Sequence, residues 1–127
     1  MIAGVGIDLV DIDRVQRLLD AKGQRALRRL FTTDEVDYAL ARALPAQHLA
    51  ARLAAKEAAF KALAGNALAR SIGWREIEVV RLDGGKPELR LHGAAAALAA
   101  AQGWIAFDLS ISDTHRHTIA MVVALRS

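Results

Sequence analysis

The segment Arg52-Leu53-Ala54-Ala55-Lys56-Glu57-Ala58-Ala59-Phe60-Lys61-Ala62-Leu63 contains neither Gly nor Pro and consists largely of strong helix formers. It predicts a central helix from about Ala46 to Ala64, stopped by Gly65-Asn66. Leu49, Leu53, Phe60 and Leu63 or Ala64 recur at three- and four-residue steps and mark a buried stripe, which Lys56 and Glu57 interrupt. An exposed Glu57–Lys61 ion pair, worth about 0.2–0.5 kcal/mol, is the ordinary explanation. The alternative is that Lys56, Glu57 and Lys61 project from a closely packed, alanine-flanked helix into the edge of a cleft.

The rest of the chain has to cover that helix. At 127 residues and 54% hydrophobic content, it fits a single domain over residues 1–127. The absence of Cys excludes disulfides and thiolate metal sites and is compatible with a reducing compartment. The longest apolar run, Ala94 to Ala101, is too short to cross a bilayer, and Met1 to Val10 lacks the basic start of a secretory signal. The expectation is a soluble, cytoplasmic protein with no membrane partner. The formal charge of +3 is concentrated, with Arg14, Arg17, Lys22, Arg25, Arg28 and Arg29 close together near the N-terminus. A solvated face and a docking surface for an acidic partner both account for this cluster. Aromatic content of 5% and the lack of a basic, base-stacking motif argue against nucleic acid as the partner.

Ile2 to Asp11 reads as a strand, with Val5, Ile7 and Leu9 on one face and Gly4, Gly6, Asp8 and Val10 on the other. A carboxylate at Asp8 is costly to bury unless paired or bound to a cation, and the glycines leave open space beside it. It serves equally well as a strand-end cap. A helix from about Ile12 carries the stripe Ile12, Val15, Leu18 and Leu19 and stops at Gly23. Leu27, Leu30 and Phe31 form a short apolar patch. Thr32-Thr33-Asp34-Glu35 has capping-box spacing and opens a helix ended by Pro45, which gives Glu35 a sufficient structural role. Residues 77–82 and Leu89-Arg90-Leu91 flank Asp83-Gly84-Gly85-Lys86-Pro87 as a hairpin, whose tip places Lys86 either in solvent or against a phosphate. A short helix over Ala94–Gln102 precedes a strand at 105–112 and a returning strand marked by Ile119, Met121, Val123 and Leu125. His115 and His117 share a side of the intervening segment but have no Cys or acidic residue at zinc-ligand spacing.

Gly6-Ile7-Asp8-Leu9-Val10-Asp11-Ile12-Asp13-Arg14, Phe31-Thr32-Thr33-Asp34-Glu35 and Arg52 to Lys61 together resemble the signatures of the holo-[acyl-carrier-protein] synthases, the small class of 4'-phosphopantetheinyl transferases. Gly85-Lys86-Pro87 and Leu109-Ser110-Ile111-Ser112 fall where that family has its Gly-Lys-Pro hairpin and Ser-x-Ser strand. The resemblance implies an α+β fold with a mainly antiparallel sheet packed on a long central helix. It also implies transfer of the phosphopantetheine arm of coenzyme A to a serine of an apo acyl carrier protein, releasing adenosine 3',5'-bisphosphate. Charge building on pyrophosphate oxygens calls for a cation, and Mg2+ (or Mn2+) held by one or two carboxylates suits that task.

By position in the motifs, Asp8 and Glu57 are the metal ligands, Lys61 neutralises phosphate oxygens, and Lys56 either shares that task or holds Glu57. Glu57 or a metal-bound water accepts the serine proton. Arg52, Lys86, Pro87 and Ser112 join Lys61 in binding coenzyme A. Arg14 matches the arginine that meets the acidic carrier protein, with Arg17 and Arg25 beside it. The family further implies a homotrimer with active sites between chains, so that Arg14 serves a neighbour's metal. Asp113 stands where the family commonly has His, Gly65-Asn66-Ala67 where it has Gly-Thr-Gly, and Leu53 where it has an aromatic. A non-catalytic basic module that docks carrier proteins is the alternative. Glu57→Gln separates the two, because only an enzyme has turnover to lose.

Overall fold

The computed structural model describes residues 1–63, 71–81 and 85–127. In order, the elements are β1 (Ile2–Asp11), α1 (Ile12–Leu30), α2 (Thr33–Leu40), α3 (Pro45–Ala62), a 3-10 turn (Trp74–Glu76), β2 (Ile77–Arg81), β3 (Pro87–Leu91), α4 (Gly93–Ala101), β4 (Ala106–Asp113) and β5 (His117–Leu125). The fold is α+β, as expected, but its antiparallel strands divide into a three-stranded sheet ordered β1-β5-β4 and a separate β2-β3 hairpin. Ala64, the Gly65-Asn66-Ala67 segment and Leu82-Asp83-Gly84 of the expected hairpin tip lie outside the described residues.

Helix α3 is the axis of the molecule. Every residue from Leu49 to Lys56 is buried, so the helix is covered on nearly all sides and a one-sided stripe describes it poorly. It packs on β1 and β5 at a separation that the strand glycines allow. A Cβ at Gly6 would overlap the carbonyl of Ala58, and one at Gly4 the carbonyl of Ala62. The space expected beside Asp8 is therefore occupied by the backbone of α3.

This close approach decides the faces of the sheet. Gly6 pairs with Val122 and Asp8 with Ala120, while Val122 in turn faces Leu109 and Ala120 faces Ile111; this face lies under α3. On the opposite face Ile7 pairs with Met121 and Leu9 with Ile119, which extends to Ser112. The returning strand thus turns its large residues outward: Ile119, Met121 and Leu125 are substantially exposed, whereas Thr118, Ala120, Val122 and Ala124 are buried. Val5, Ile7 and Leu9 are each more than half exposed on the same outer face.

Two helix boundaries differ from expectation. Gly23 takes φ 61° and ψ −151°, which kinks α1 without ending it, and Leu27, Leu30 and Phe31 belong to its second half and its C-cap. Pro45 is the first residue of α3, where its missing N–H costs nothing, and α2 has already ended at Leu40. The capping box forms as expected: Thr32 Oγ1 accepts from Glu35 N at 3.2 Å, and Glu35 Oε1 accepts from Thr32 N at 2.9 Å.

Candidate active site

Residues four apart lie on one side of a helix, so Leu53, Glu57 and Lys61 form one row of α3 while Arg52 and Lys56 form a row about 100° away. The first row meets β1 and α1. Lys61 Nζ donates to Asp8 Oδ1 at 2.8 Å and to Ile7 O at 3.0 Å. Asp8 is largely covered, whereas Lys61 stays half exposed. Burial pushes the Glu57 carboxyl above its ordinary pKa, and a hydrogen bond with Asp8 and the Asp8 charge add to the rise; Arg14 and Lys61 oppose it. The hydrogen bond of Lys61 to Asp8 raises the pKa of its ammonium, and the charges of Asp8 and Glu57 act in the same direction. Asp8 and Glu57 are brought near each other at the α3–β1 contact, with the Lys61 ammonium paired to Asp8.

Glu57 also lines a groove of about 380 Å3 with Arg14, Arg17, Val15, Leu53 and Trp74. Its lining combines apolar side chains with one carboxylate and two guanidinium groups. Arg14 lies beside Glu57 of its own chain in this groove. Leu18 and Leu30 continue the surface into a second groove, of about 590 Å3, with Lys22, Arg25 and Arg29. The basic cluster of α1 is therefore one continuous face leading to Glu57.

Lys56 departs from expectation. Its side chain is completely buried, and its three N–H donors go to Glu35 Oε1 at 2.7 Å, Trp74 O at 3.0 Å and Ile77 O. None is left for a phosphate or for Glu57. Burial pushes its pKa down, and Glu35 opposes the shift. Glu35 Oε2 accepts in addition from Val79 N at 3.0 Å, so the capping residue is also the counter-charge of a buried lysine.

Arg52 is also buried, away from Asp8. It donates to His48 O at 3.2 Å, lies over the Tyr38 ring at 4.3 Å, and its Nε has no partner among the described residues. Burial lowers the pKa of His48, and Arg52, Arg81 and Arg42 lower it further, whereas Asp113 raises it. A second cationic locus thus forms near Asp113, at the end of β4. Ser112 is exposed on the outer face of the sheet, opposite to the face that carries Asp8. Lys86 and Pro87 line a separate groove of about 650 Å3 with Leu89, Phe107 and Asp108.

Sequence reasoning missed Trp74 as a wall of the Glu57 groove, and it missed Arg42, His48 and Arg81 around Arg52. A tryptophan directly after Gly73 was the available signal for the former. For the latter there was none, because three separate elements contribute the charges. Among the described residues no three His, Asp or Glu side chains converge on a common point. The donor set at the α3–β1 contact is two carboxylates, which fits a hard cation whose shell is completed by phosphate and water.

The pattern of the 4'-phosphopantetheinyl transferase superfamily (ACPS) matches residues 4–121. The chain is 44% identical over 126 residues to a holo-[acyl-carrier-protein] synthase of Geobacter metallireducens, covering 99% of each chain. Among solved structures it is similar to the crystal structure of the holo-[acyl-carrier-protein] synthase of Neisseria meningitidis, with a TM-score of 0.87 and 33% identity over 99% of this chain and 100% of that one. It is likewise similar to the Bacillus anthracis synthase solved in complex with CoA (3',5'-ADP), with a TM-score of 0.79 and 31% identity over 100% and 99% of the two chains.

Proposed function

The chain belongs to the 4'-phosphopantetheinyl transferase superfamily as a holo-[acyl-carrier-protein] synthase, and from that membership we propose that the contact of Asp8, Glu57 and Lys61 is its reacting centre. The enzyme transfers the 4'-phosphopantetheine group of coenzyme A to an apo acyl carrier protein. In our reading the oxygen of the carrier serine forms a bond to the β-phosphorus of coenzyme A. The bond from that phosphorus to the bridging oxygen breaks, and adenosine 3',5'-bisphosphate leaves with the electron pair.

Each residue has a part set by its position. Asp8 and Glu57 would hold Mg2+, which supplies positive charge to the pyrophosphate oxygens when bound. Lys61, half exposed beside Asp8, neutralises phosphate oxygens from the solvent side. Glu57, which lines the groove, takes the serine proton. Arg14, Arg17 and Arg25 receive the acidic face of the carrier along α1, and the groove leads its serine to Glu57.

Ser112, and Lys86 with Pro87, are displaced from this centre within one chain, so we assign them to coenzyme A at the neighbour's site in a homotrimer. Arg52, buried against His48 and Tyr38, is a structural residue in this reading. The apolar outer face of β1 and β5 supports this assembly, because its exposed Val5, Ile7, Leu9, Ile119 and Met121 form a continuous surface suited to a second copy.

The observation that carries the reading is the Asp8–Lys61 pair at the α3–β1 contact, with Glu57 one turn before Lys61 on the same row of α3 and lining the groove. Intact mass of an apo acyl carrier protein after incubation with enzyme, coenzyme A and Mg2+ tests it. Asp8→Asn and Glu57→Gln are expected to abolish the EDTA-sensitive gain of one phosphopantetheine while the carrier still binds. Full turnover by Glu57→Gln would overturn the assignment.

A further inference from the structure

We propose that Lys56 is a positioning residue that, together with Glu35, locks the turn bearing Trp74 so that the indole closes the carrier groove beside Glu57. The inference rests on the reading that this groove ends at the reacting centre.

Trp74 stands between two hollows. On one side is the groove with Arg14 and Glu57. On the other is a smaller apolar hollow of about 200 Å3 lined by Phe60, Ile72, Gly73 and Ile77. A partly exposed indole with apolar space behind it has an alternative place to go, so the groove keeps its shape only if the backbone that carries the ring is fixed. Three attachments fix it. Lys56 Nζ holds the carbonyls of Trp74 and Ile77, one at each side of the turn. Glu76 accepts from Gly73 N at 2.9 Å and from Ala94 N at 3.2 Å. Glu35 neutralises Lys56 and takes Val79 N, so α2, α3 and β2 all bear on the turn.

The chemistry of Lys56 favours this role over phosphate binding. A buried ammonium with all three donors engaged has nothing to offer a substrate, yet its neighbour Glu57 points into the groove. Adjacent residues of α3 therefore bear on one groove, Glu57 by lining it and Lys56 by holding the turn that carries Trp74. The ligand that feels Lys56 is the carrier protein, and coenzyme A is largely indifferent to it.

The test is steady-state kinetics of Lys56→Met with an apo acyl carrier protein and coenzyme A varied separately, alongside fluorescence of Trp74 in a Trp104→Phe background. The expected result is a KM for the carrier raised about 5- to 10-fold, the scale for losing an aromatic anchor, with kcat and the KM for coenzyme A within about twofold of the parent. Trp74 emission shifts to the red and acrylamide quenching increases. Trp74→Ala, which leaves the Lys56–Glu35 pair intact, gives the same split and decides the matter if Lys56→Met does not fold. A fall in kcat or a rise in the KM for coenzyme A, with Trp74 emission unchanged, would overturn the proposal and return Lys56 to the phosphates. An unchanged carrier KM in Trp74→Ala would overturn it as well. If instead Glu57→Gln retained turnover, the site assignment would fail, while the emission of Trp74 in Lys56→Met would still report the lock.

Discussion

Lys61 reaches back across the α3–β1 contact to Asp8 and Ile7, so its ammonium is the one cation paired with Asp8 among the described residues. Lys61→Met should lower kcat by about 10²- to 10³-fold, the range for removing one group that stabilises developing charge. Carrier binding, measured by titration calorimetry, should remain. Asp8, Glu57 and Lys61 were legible in the sequence because each is a charge in an apolar setting. Lys56 was misread for the same reason: a charge inside an alanine helix looks the same in sequence whether it faces a cleft or a buried Glu35. The 3.6-residue period separates Lys56 from Glu57 by about 100°, but it does not say what lies in either direction. Trp74 belongs to the groove through packing alone, and no spacing rule connects it to Glu57.

The elements meet at contacts that single substitutions should disturb in characteristic ways. Gly6→Ala forces a methyl into the carbonyl of Ala58 and should cost about 1–3 kcal/mol or more, seen as a lower midpoint of thermal unfolding. Glu78 joins α2 to the β2-β3 hairpin by accepting from Thr32 Oγ1 at 2.7 Å and meeting His92 Nε2 at 2.9 Å. Burial alone would raise its pKa, but hydrogen bonds from Thr32 and His92 and the charges of His92 and Lys56 outweigh burial and hold it below the ordinary value. A carboxylate depressed in the folded state stabilises above its unfolded pKa, near 4.5, and that contribution is lost as pH falls through the folded value. Glu78→Gln should therefore cost about 1 kcal/mol at neutral pH and flatten the acid limb of a urea-denaturation pH profile. The capping box and the order of helices and strands were readable from local rules. The burial of the faces of β1 and β5 was not, because alternation marks two faces and only the fit of α3 against glycine decides which one is covered.

At the scale of the whole molecule, charge and apolar surface lie on different sides. The basic face of α1 predicts that raising NaCl from about 0.05 to 0.5 M, which shortens the screening length severalfold, increases the KM for the carrier much more than that for coenzyme A. The homotrimer proposed on the outer face of the sheet predicts that Ile7→Asp lowers the mass by sedimentation equilibrium, with loss of turnover if the sites are shared between chains. The sequence placed these apolar residues in strands, and their exposure becomes visible only once α3 is seen to occupy the other side. The glycine contact of β1 with α3 also divides what can drift from what cannot. Because the spacing of Asp8 and Glu57 is a property of main chain resting on main chain, a sequence library that rewrites the face of α1 to recruit a different carrier begins with the two carboxylates already in register.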